Sequence, residues 1–352
     1  MSSDRLPLHP FSLELDLLDR MMNFEIADDP NYSGLEIQAF DDSSHGKGML
    51  VFFNRRTDDK TDVYYEAGLK LDQANYAIGS GLGAWVETEF RRNRLEVSDR
   101  GVNADILFTD AANRAIEVRA GDYTPRGRRS AAFLAPMGAA ITSPTSLPLI
   151  WMSKFDLLRR SGPTPVVLID GRAASLGHLP AEPLTRRRLV KVTTDLCAVA
   201  VNSARSGVRL DDLVGLAESV VEAGGTRAVV GRAASHEARF EFDPCFPDLG
   251  DEPRIEDGTW TVFIDRSSIV GGTWQISRAD KTKVRLDVTQ GWKPSGLPAL
   301  MRIVTRVAPV FRTWPTTYRW EAEISDDKVM TSAWERTGAG KGESYRKLTG
   351  SA

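Results

Sequence analysis

The sequence repeats part of itself, and this internal similarity limits the fold more than any other feature. The stretch from Gly291 to Ile324, GWKPSGLPALMRIVTRVAPVFRTWPTTYRWEAEI, is echoed imperfectly between Asp122 and Asp170. The segments just upstream also match, NADILFTDAANRAIEV from Asn103 and GTWQISRADKTKVRLDV from Gly272. The paired landmarks are Tyr123 with Trp292, Pro125 with Pro294, Gly127 with Gly296, Leu147-Pro148 with Leu297-Pro298, Arg160 with Arg312, and Pro163-Thr164 with Pro315-Thr316. One copy in each half of a 352-residue chain predicts a duplicated unit.

Each copy of the repeat predicts a helix followed by a strand. In the second copy a helical stripe of apolar residues ends before Pro309 and consists of Leu297, Leu300, Met301, Val304 and Val307. The first copy predicts the equivalent helix between Leu147 and Arg160. A Pro-Thr pair then opens a strand in each copy, from Pro165 to Asp170 and from Thr317 to Ile324.

The rest of the first half alternates between apolar and polar residues in short runs broken by Asp, Asn and Gly. The runs are Ser33 to Phe40, Gly48 to Phe53, Thr61 to Leu69, Ala84 to Phe90, and a hairpin of Ala104 to Phe108 with Ala115 to Ala120. Period-two alternation at this spacing indicates an antiparallel sheet. The tail, Lys328 to Glu335, is expected to pair with Tyr318 to Ile324.

The region between the copies has a different pattern. Leu189 to Val201 predicts a long strand, and an apolar stripe in Leu210 to Ala223 predicts a helix that ends at Gly224-Gly225. The predicted organisation is a first β-barrel-like domain over residues 1–172, a linker region over 173–236 with a helix at about 210–223, and a second β-barrel-like domain over 237–352.

Composition excludes several classes of function. The net charge of −3 gives no general basic field for nucleic acid. Two cysteines and four histidines show no metal-ligand spacing, and no phosphate loop or dinucleotide fingerprint is present, so we expect no cofactor. The N-terminus lacks a secretion-signal pattern and no run is long enough to span a bilayer, which predicts a cytoplasmic protein.

Two related β-rich copies in one chain suggest two packed barrels, each able to enclose a ligand. In this outline the chain resembles the duplicated lipocalin-like proteins of the carotenoid 1,2-hydratase type. The resemblance covers most of the chain and is one of architecture, so no catalytic residue is carried over. It implies a hydrophobic ligand and acid-catalysed chemistry on an alkene or isoprenoid.

Candidate ligand-binding residues follow from strand alternation. Tyr318 and Trp320 share an apolar face of the second-copy strand, and Val166 and Leu168 occupy the corresponding face of the first copy. Further aromatic candidates are Trp151, Trp274 and Trp292. A packed core would give the same pattern, so these residues either line a pocket or fill the interior.

Three residues are candidate acid-base groups. Asp170 falls on the apolar face of its strand, where burial would make it a usable acid, although Asp170-Gly171 also fits a turn. Tyr64 and Glu66 share a polar face with Asp62, which either looks into a cavity or is solvated.

Two functions of different class remain. The first is an enzyme that binds an isoprenoid, lipid or steroid-like molecule and performs cofactor-free hydratase, isomerase or cyclase chemistry. The second is a non-catalytic carrier of a lipophilic ligand. A carboxylate beside an aromatic pocket favours the enzyme, and an entirely apolar cavity favours the carrier.

Overall fold

The computed structural model describes residues 6–76, 81–128, 130–136, 143–179, 182–250, 256–294, 297, 299–307 and 314–337. The protein is mainly β. Its strands are β1 Leu13–Leu18, β2 Arg20–Glu25, β3 Tyr32–Asp42, β4 Gly46–Arg55, β5 Thr61–Tyr65, β6 Leu82–Glu87, β7 Arg92–Val97, β8 Gly101–Thr109, β9 Ala115–Tyr123, β10 Ala131–Ala135, β11 Leu147–Arg159, β12 Val166–Ile169, β13 Arg172–Ala173, β14 Arg187–Thr193, β15 Leu196–Val201, β16 Arg205–Arg209, β17 Glu218–Glu222, β18 Gly225–Ala233, β19 His236–Phe246, β20 Asp257–Ile264, β21 Ser267–Arg278, β22 Thr282–Gln290, β23 Tyr318–Ile324 and β24 Val329–Arg336. Helical segments are α1 Glu182–Thr185, α2 Leu210–Leu213, α3 Ala299–Val307 and a 3-10 turn at Gln73–Tyr76.

The second half of the chain forms one curled antiparallel sheet of nine described strands. Their order is β16-β24-β23-β22-β21-β20-β19-β18-β17. Several of these strands bury alternate residues, as on β20, where Trp260, Val262 and Ile264 are buried and the residues between them are half-buried. These residues, with Trp320 and Trp334, belong to one apolar cluster, which we call the second core. Burial of one face per strand is what period-two alternation specifies.

The first half contributes two sheets that face each other. A ten-stranded sheet runs β1-β15-β11-β14-β2-β3-β4-β5-β6, with β10 beside β11, and a five-stranded sheet runs β13-β12-β9-β8-β7. Side chains from both sheets meet in an apolar cluster, which we call the first core. Its members include Phe24, Ile37 and Phe53 from the larger sheet and Ile106, Val118 and Val167 from the smaller one. Sheets packed face to face in this way bury a layer of alternating apolar residues.

One part of the larger sheet belongs to the second core. The strand β11 pairs first with β15, through Leu147–Met152, and then with β14 from Asp156 onwards. Leu13 of β1 and Val199 of β15 pack into the second core beside the nine-stranded sheet. Strands β1, β11 and β15 therefore close one side of the second core.

The predicted long strand from Leu189 to Val201 is observed as two consecutive strands, β14 and β15, interrupted at Thr194 and Asp195. Residues 173–236 as a whole supply strands to both large sheets. The domain boundaries after residues 172 and 236 stay predictions.

The predicted helix from Leu147 to Arg160 is wrong, because this segment is the strand β11. The strand is buried along most of its length and pairs with β10, β14 and β15. A strand covered on both faces has a nearly continuous apolar sequence, and such a run satisfies helical spacing as well as strand spacing. The second copy contains a short helix, α3 at Ala299–Val307, whereas residues 308–313 lie outside the described part of the chain. Its insertion between the strands of a barrel stays a prediction.

The predicted helix from Leu210 to Ala223 is also wrong. Only Leu210–Leu213 is helical, and Glu218–Glu222 is the edge strand β17, paired with β18. Ala223 and Gly224 have φ values of 51° and 81°, which is the backbone of a tight hairpin turn with two left-handed residues. The Gly-Gly signal interpreted as a helix stop is therefore a hairpin turn.

The two copies of the sequence repeat fold alike in some segments and differently in others. The upstream segments fold alike, as the hairpins β8–β9 and β21–β22, and the strand after each Pro-Thr pair adds antiparallel to its hairpin. Between these elements the copies differ, with β10 and β11 in one and α3 in the other. The equivalence of Leu147–Arg160 with Leu297–Phe311 is wrong, and the duplicated lipocalin-like architecture stays a prediction. Gly296, Pro298 and Arg312 lie outside the described residues. The predicted pairing of the tail with Tyr318–Ile324 is confirmed.

The N-terminal segment is fixed by a buried histidine. The Phe11 backbone N–H donates to His9 Nδ1 at 3.3 Å, so the ring proton lies on Nε2 and donates to Ser219 Oγ at 2.9 Å. Burial lowers the pKa of His9 from 6.5 to about 4, because the charged ring would lose its hydration. The neutral ring thus connects the N-terminus to β17.

This histidine predicts a pH dependence of stability. Between pH 6.5 and about 4 the unfolded chain carries a proton on His9 that the folded protein does not. The free energy of unfolding therefore falls as the pH is lowered through this window, by up to about 3 kcal/mol from this group. Urea unfolding at pH 7 and pH 4.5 should show a smaller drop for His9→Gln than for the wild type. The exposed His178→Gln should behave like the wild type, and equal drops in all three proteins would contradict the assignment.

Candidate functional site

A cleft of about 780 Å³ opens at the end of the first half, between the two facing sheets. Its walls come from β3, β4, β7 and the segments 66–68 and 87–90, and we call it the mouth cleft. Four of its lining residues are apolar and buried, and we call them the apolar floor: Phe40, Met49, Phe90 and Leu95. Clefts at the mouth of a β-barrel-like unit are common places for small-molecule sites.

The rim of the mouth cleft carries charges of both signs, but its cations are already paired. Ion pairs join Lys47 to Asp41, Arg94 to Glu96 and Arg20 to Asp19, each at 2.8 Å. Three other carboxylates, those of Glu66, Glu87 and Glu89, line the cleft without an ion pair to any described residue. The cleft therefore has an excess of negative charge above an apolar floor.

Glu66 is held in a fixed position at the cleft wall. Its Oε2 accepts a hydrogen bond from the Met49 backbone N–H at 2.7 Å, and its Oε1 accepts one from Asn93 Nδ2 at 2.9 Å. These bonds join β4, the end of β5 and β7. Of the three predicted acid-base residues, Glu66 is the one that lines this cleft.

Tyr64 lies elsewhere, within the first core. Its ring packs against Phe53 and Phe108, and its hydroxyl accepts a hydrogen bond from the Ala111 backbone N–H at 3.3 Å. Burial raises the pKa of Tyr64, which keeps the phenol neutral. The predicted solvated face is wrong here, because β5 is buried on both faces, with Tyr64 in the first core and Val63 in a separate apolar cluster.

A buried polar network surrounds Tyr64. Tyr32 donates its hydroxyl hydrogen to Asp62 Oδ2 at 3.1 Å and accepts a hydrogen bond from Arg114 Nη2 at 3.2 Å. Arg114 is also paired with Asp110 at 2.7 Å. Every member of the network has partners within the protein, so the arrangement stabilises the turn at Asp110–Arg114.

Asp170 is exposed and forms a turn with Gly171. The two residues have φ values of 53° and 76° and connect β12 to β13. The strand β12 buries Val167 and Ile169 in the first core and leaves Val166 and Leu168 half-buried. The inward face predicted for Val166, Leu168 and Asp170 is therefore wrong, because the residues that β12 directs inward are the ones between them.

The aromatic candidates of the second copy fill the interior. Trp320 and Trp274 are fully buried in the second core, and Tyr318 is buried there too. Trp292 is half-buried and packs edge-on against Trp151, with ring centroids 5.8 Å apart. The indole N–H groups of Trp274 and Trp320 donate to no described residue. The role of these aromatic residues as ligand contacts stays a prediction, whereas their role in packing the interior is observed.

Few sequence patterns point to the mouth cleft. Its residues come from six separate segments, from Arg20 to Glu96, and sequence alternation does not show which strand ends meet. Glu87 and Glu89 stand at alternate positions just before the apolar Phe90, and this was the local signal for it. The sheet pairings bring these residues beside Glu66.

Comparisons with known proteins add no identity. The chain matches no protein-family model, and no curated protein and no solved structure is significantly similar to it. The resemblance to the carotenoid 1,2-hydratase type therefore stays a prediction. Across the residues that the structure describes, no helix is long and apolar enough to cross a membrane.

Proposed function

We propose that the protein binds a small amphipathic molecule in the mouth cleft. The apolar body, of lipid, isoprenoid or steroid-like character, would lie on the floor formed by Phe40, Met49, Phe90 and Leu95. A cationic or hydrogen-bond-donating head would lie beside Glu66, Glu87 and Glu89. The observation that carries this proposal is the set of three carboxylates that form no ion pair with any described residue and lie beside apolar lining residues.

Binding without catalysis is the function that we favour. Both carboxylate oxygens of Glu66 already accept hydrogen bonds from the protein, an arrangement that fixes the group in place. Cofactor-free hydratase, isomerase or cyclase chemistry is the second proposal, because Glu66 is a predicted acid-base residue at the cleft wall. Product formation that Glu66→Gln abolishes without loss of binding would establish this second function.

The binding proposal predicts a preference among matched ligands. Octylamine, octanol and octanoate share one apolar chain and differ in the charge of the head group. We expect calorimetric affinity to decrease in that order, because the unpaired carboxylates attract the ammonium and repel the carboxylate. Replacing both Glu87 and Glu89 by Gln should weaken octylamine binding by about fivefold, since exposed charge pairs contribute up to ~1 kcal/mol.

The matched control for this test is Asp326→Asn with Asp327→Asn, which removes the same charge from the exposed turn between β23 and β24. This control should bind octylamine like the wild type. Equal affinity for octylamine and octanoate, or equal weakening in both double variants, would contradict the proposal.

A further inference from the structure

Four polar side chains from three distant segments meet where the two halves touch. Asp195 lies between β14 and β15, and Cys197 follows on β15. His236 begins β19, and Asp265 lies in the turn between β20 and β21. His236 Nε2 is 2.8 Å from Asp195 Oδ1. We call these residues the interface cluster.

Three members of the interface cluster have the donor atoms of a transition-metal site. One ligand atom each from Asp195, Cys197 and His236 lies within 4.8 Å of the others. Asp195 and Cys197 are two positions apart where the chain enters β15, and both have a donor atom close to the His236 ring. A tetrahedral Zn²⁺ with N, O and S ligands separates ligand atoms by roughly 3.5 Å, so modest closure of this cluster would bring all three into place.

The fourth member holds the imidazole in the orientation that a metal requires. Asp265 Oδ2 lies 2.5 Å from His236 Nδ1, and Asp265 Oδ1 accepts a hydrogen bond from the Glu237 backbone N–H at 3.1 Å. A carboxylate on Nδ1 fixes the histidine tautomer and directs Nε2 towards the other two ligands. Metal-binding histidines usually donate the other ring N–H to a carboxylate, a backbone carbonyl or water, and Asp265 is a partner of the first kind.

The cysteine fits a ligand better than a nucleophile. Cys197 is 1% exposed and lies in the second core. A substrate cannot reach a thiol that is enclosed in this way, so the neighbouring histidine does not make a Cys-His catalytic pair. A bound metal cation would displace the thiol proton, because coordination stabilises the thiolate.

We propose that Asp195, Cys197 and His236 bind a divalent transition metal, with Zn²⁺ as the ion that their donor set suits, and that Asp265 positions the imidazole. Three protein ligands leave a fourth coordination position for water or another ligand. The metal would also join the first half of the chain to the nine-stranded sheet. The sequence predicted no such site because the ligands lie at positions 195, 197 and 236, without a compact spacing.

The test uses the full chain after dialysis against a chelator. Titration with Co²⁺ should give a thiolate-to-metal charge-transfer band in the near ultraviolet that saturates at one equivalent, with proton release in weak buffer. Zn²⁺ should abolish the band by displacement. Cys197→Ser should lack the band, whereas Cys245→Ser, which removes the other cysteine, should retain it.

Two further variants keep the test decisive if Cys197→Ser fails to fold. His236→Gln should abolish the band, and Asp265→Asn should weaken Co²⁺ binding about 10- to 100-fold while leaving the band, since it removes only the outer partner. Absence of the band from the wild type, or its loss in Cys245→Ser, would overturn the proposal. So would a Co²⁺ affinity that neither His236→Gln nor Asp265→Asn changes, which would leave the interface cluster as an ionic contact between the halves.

Discussion

Replacing Trp320 by alanine is expected to lower the free energy of unfolding by about 3–5 kcal/mol. Trp320 is fully buried in the second core, where its ring centroid lies 5.9 Å from that of Phe11. Truncation would leave a large cavity between the nine-stranded sheet and the N-terminal segment. Urea unfolding followed by circular dichroism measures the loss.

The control for Trp320 is Trp85→Ala. Trp85 is half-buried on β6 beside Tyr65 and Tyr76, so its truncation should cost clearly less. If Trp320→Ala folds with an unchanged urea midpoint, the interior at this position is not packed core. The sequence interpretation of Trp320 as part of a pocket would then regain support.

Replacing Asp122 by alanine is expected to cost a similar amount, about 3–5 kcal/mol, because it removes one of the two carboxylates that pair with a buried cation. Asp122 is fully buried and pairs with Arg128, whose side chain is 5% exposed. Its other oxygen accepts a hydrogen bond from the Arg159 backbone N–H at 2.7 Å. Arg128 keeps one further partner, Asp156, at 3.2 Å.

A double-mutant cycle separates this ion pair from general packing. Asp122→Ala with Arg128→Ala should lose less stability than the two single losses combined, because no buried charge is left unpaired. The exposed pair of Asp41 with Lys47 supplies the control, and Asp41→Ala should cost about 0–1 kcal/mol. If Asp122→Ala lowered the free energy of unfolding by as little as Asp41→Ala, the buried ion pair would not be stabilising in the way that we propose.

Local sequence patterns predicted much of the sheet structure correctly. Alternation identified the β8–β9 hairpin and the pairing of β23 with β24, because each of these strands has one buried face. The helix α3 was predicted from an apolar stripe that breaks period-two alternation. β11 and β17 were missed, since a doubly covered strand and a short edge strand both lack clear alternation.

The sites could not be predicted in the same way, because they depend on long-range pairing. Glu66 was named as an acid-base candidate, but its neighbour Asn93 is reached only through the meeting of β7 with the end of β5. The interface cluster likewise requires β15 to lie beside the hairpin that begins at His236. No periodicity within either segment encodes that contact.

The central claim is that ligand binds in the mouth cleft, and the methyl group of Met49 on the cleft floor tests it most directly. The protein, with its eight methionines labelled at the methyl carbon, is titrated with octylamine and followed by nuclear magnetic resonance. Met49→Leu assigns the resonance, and Met330, buried in the nine-stranded sheet, serves as the internal control. We expect a saturable shift of the Met49 methyl signal with no change at Met330. A saturable shift at Met330 with none at Met49 would place the ligand in the second half and contradict the account.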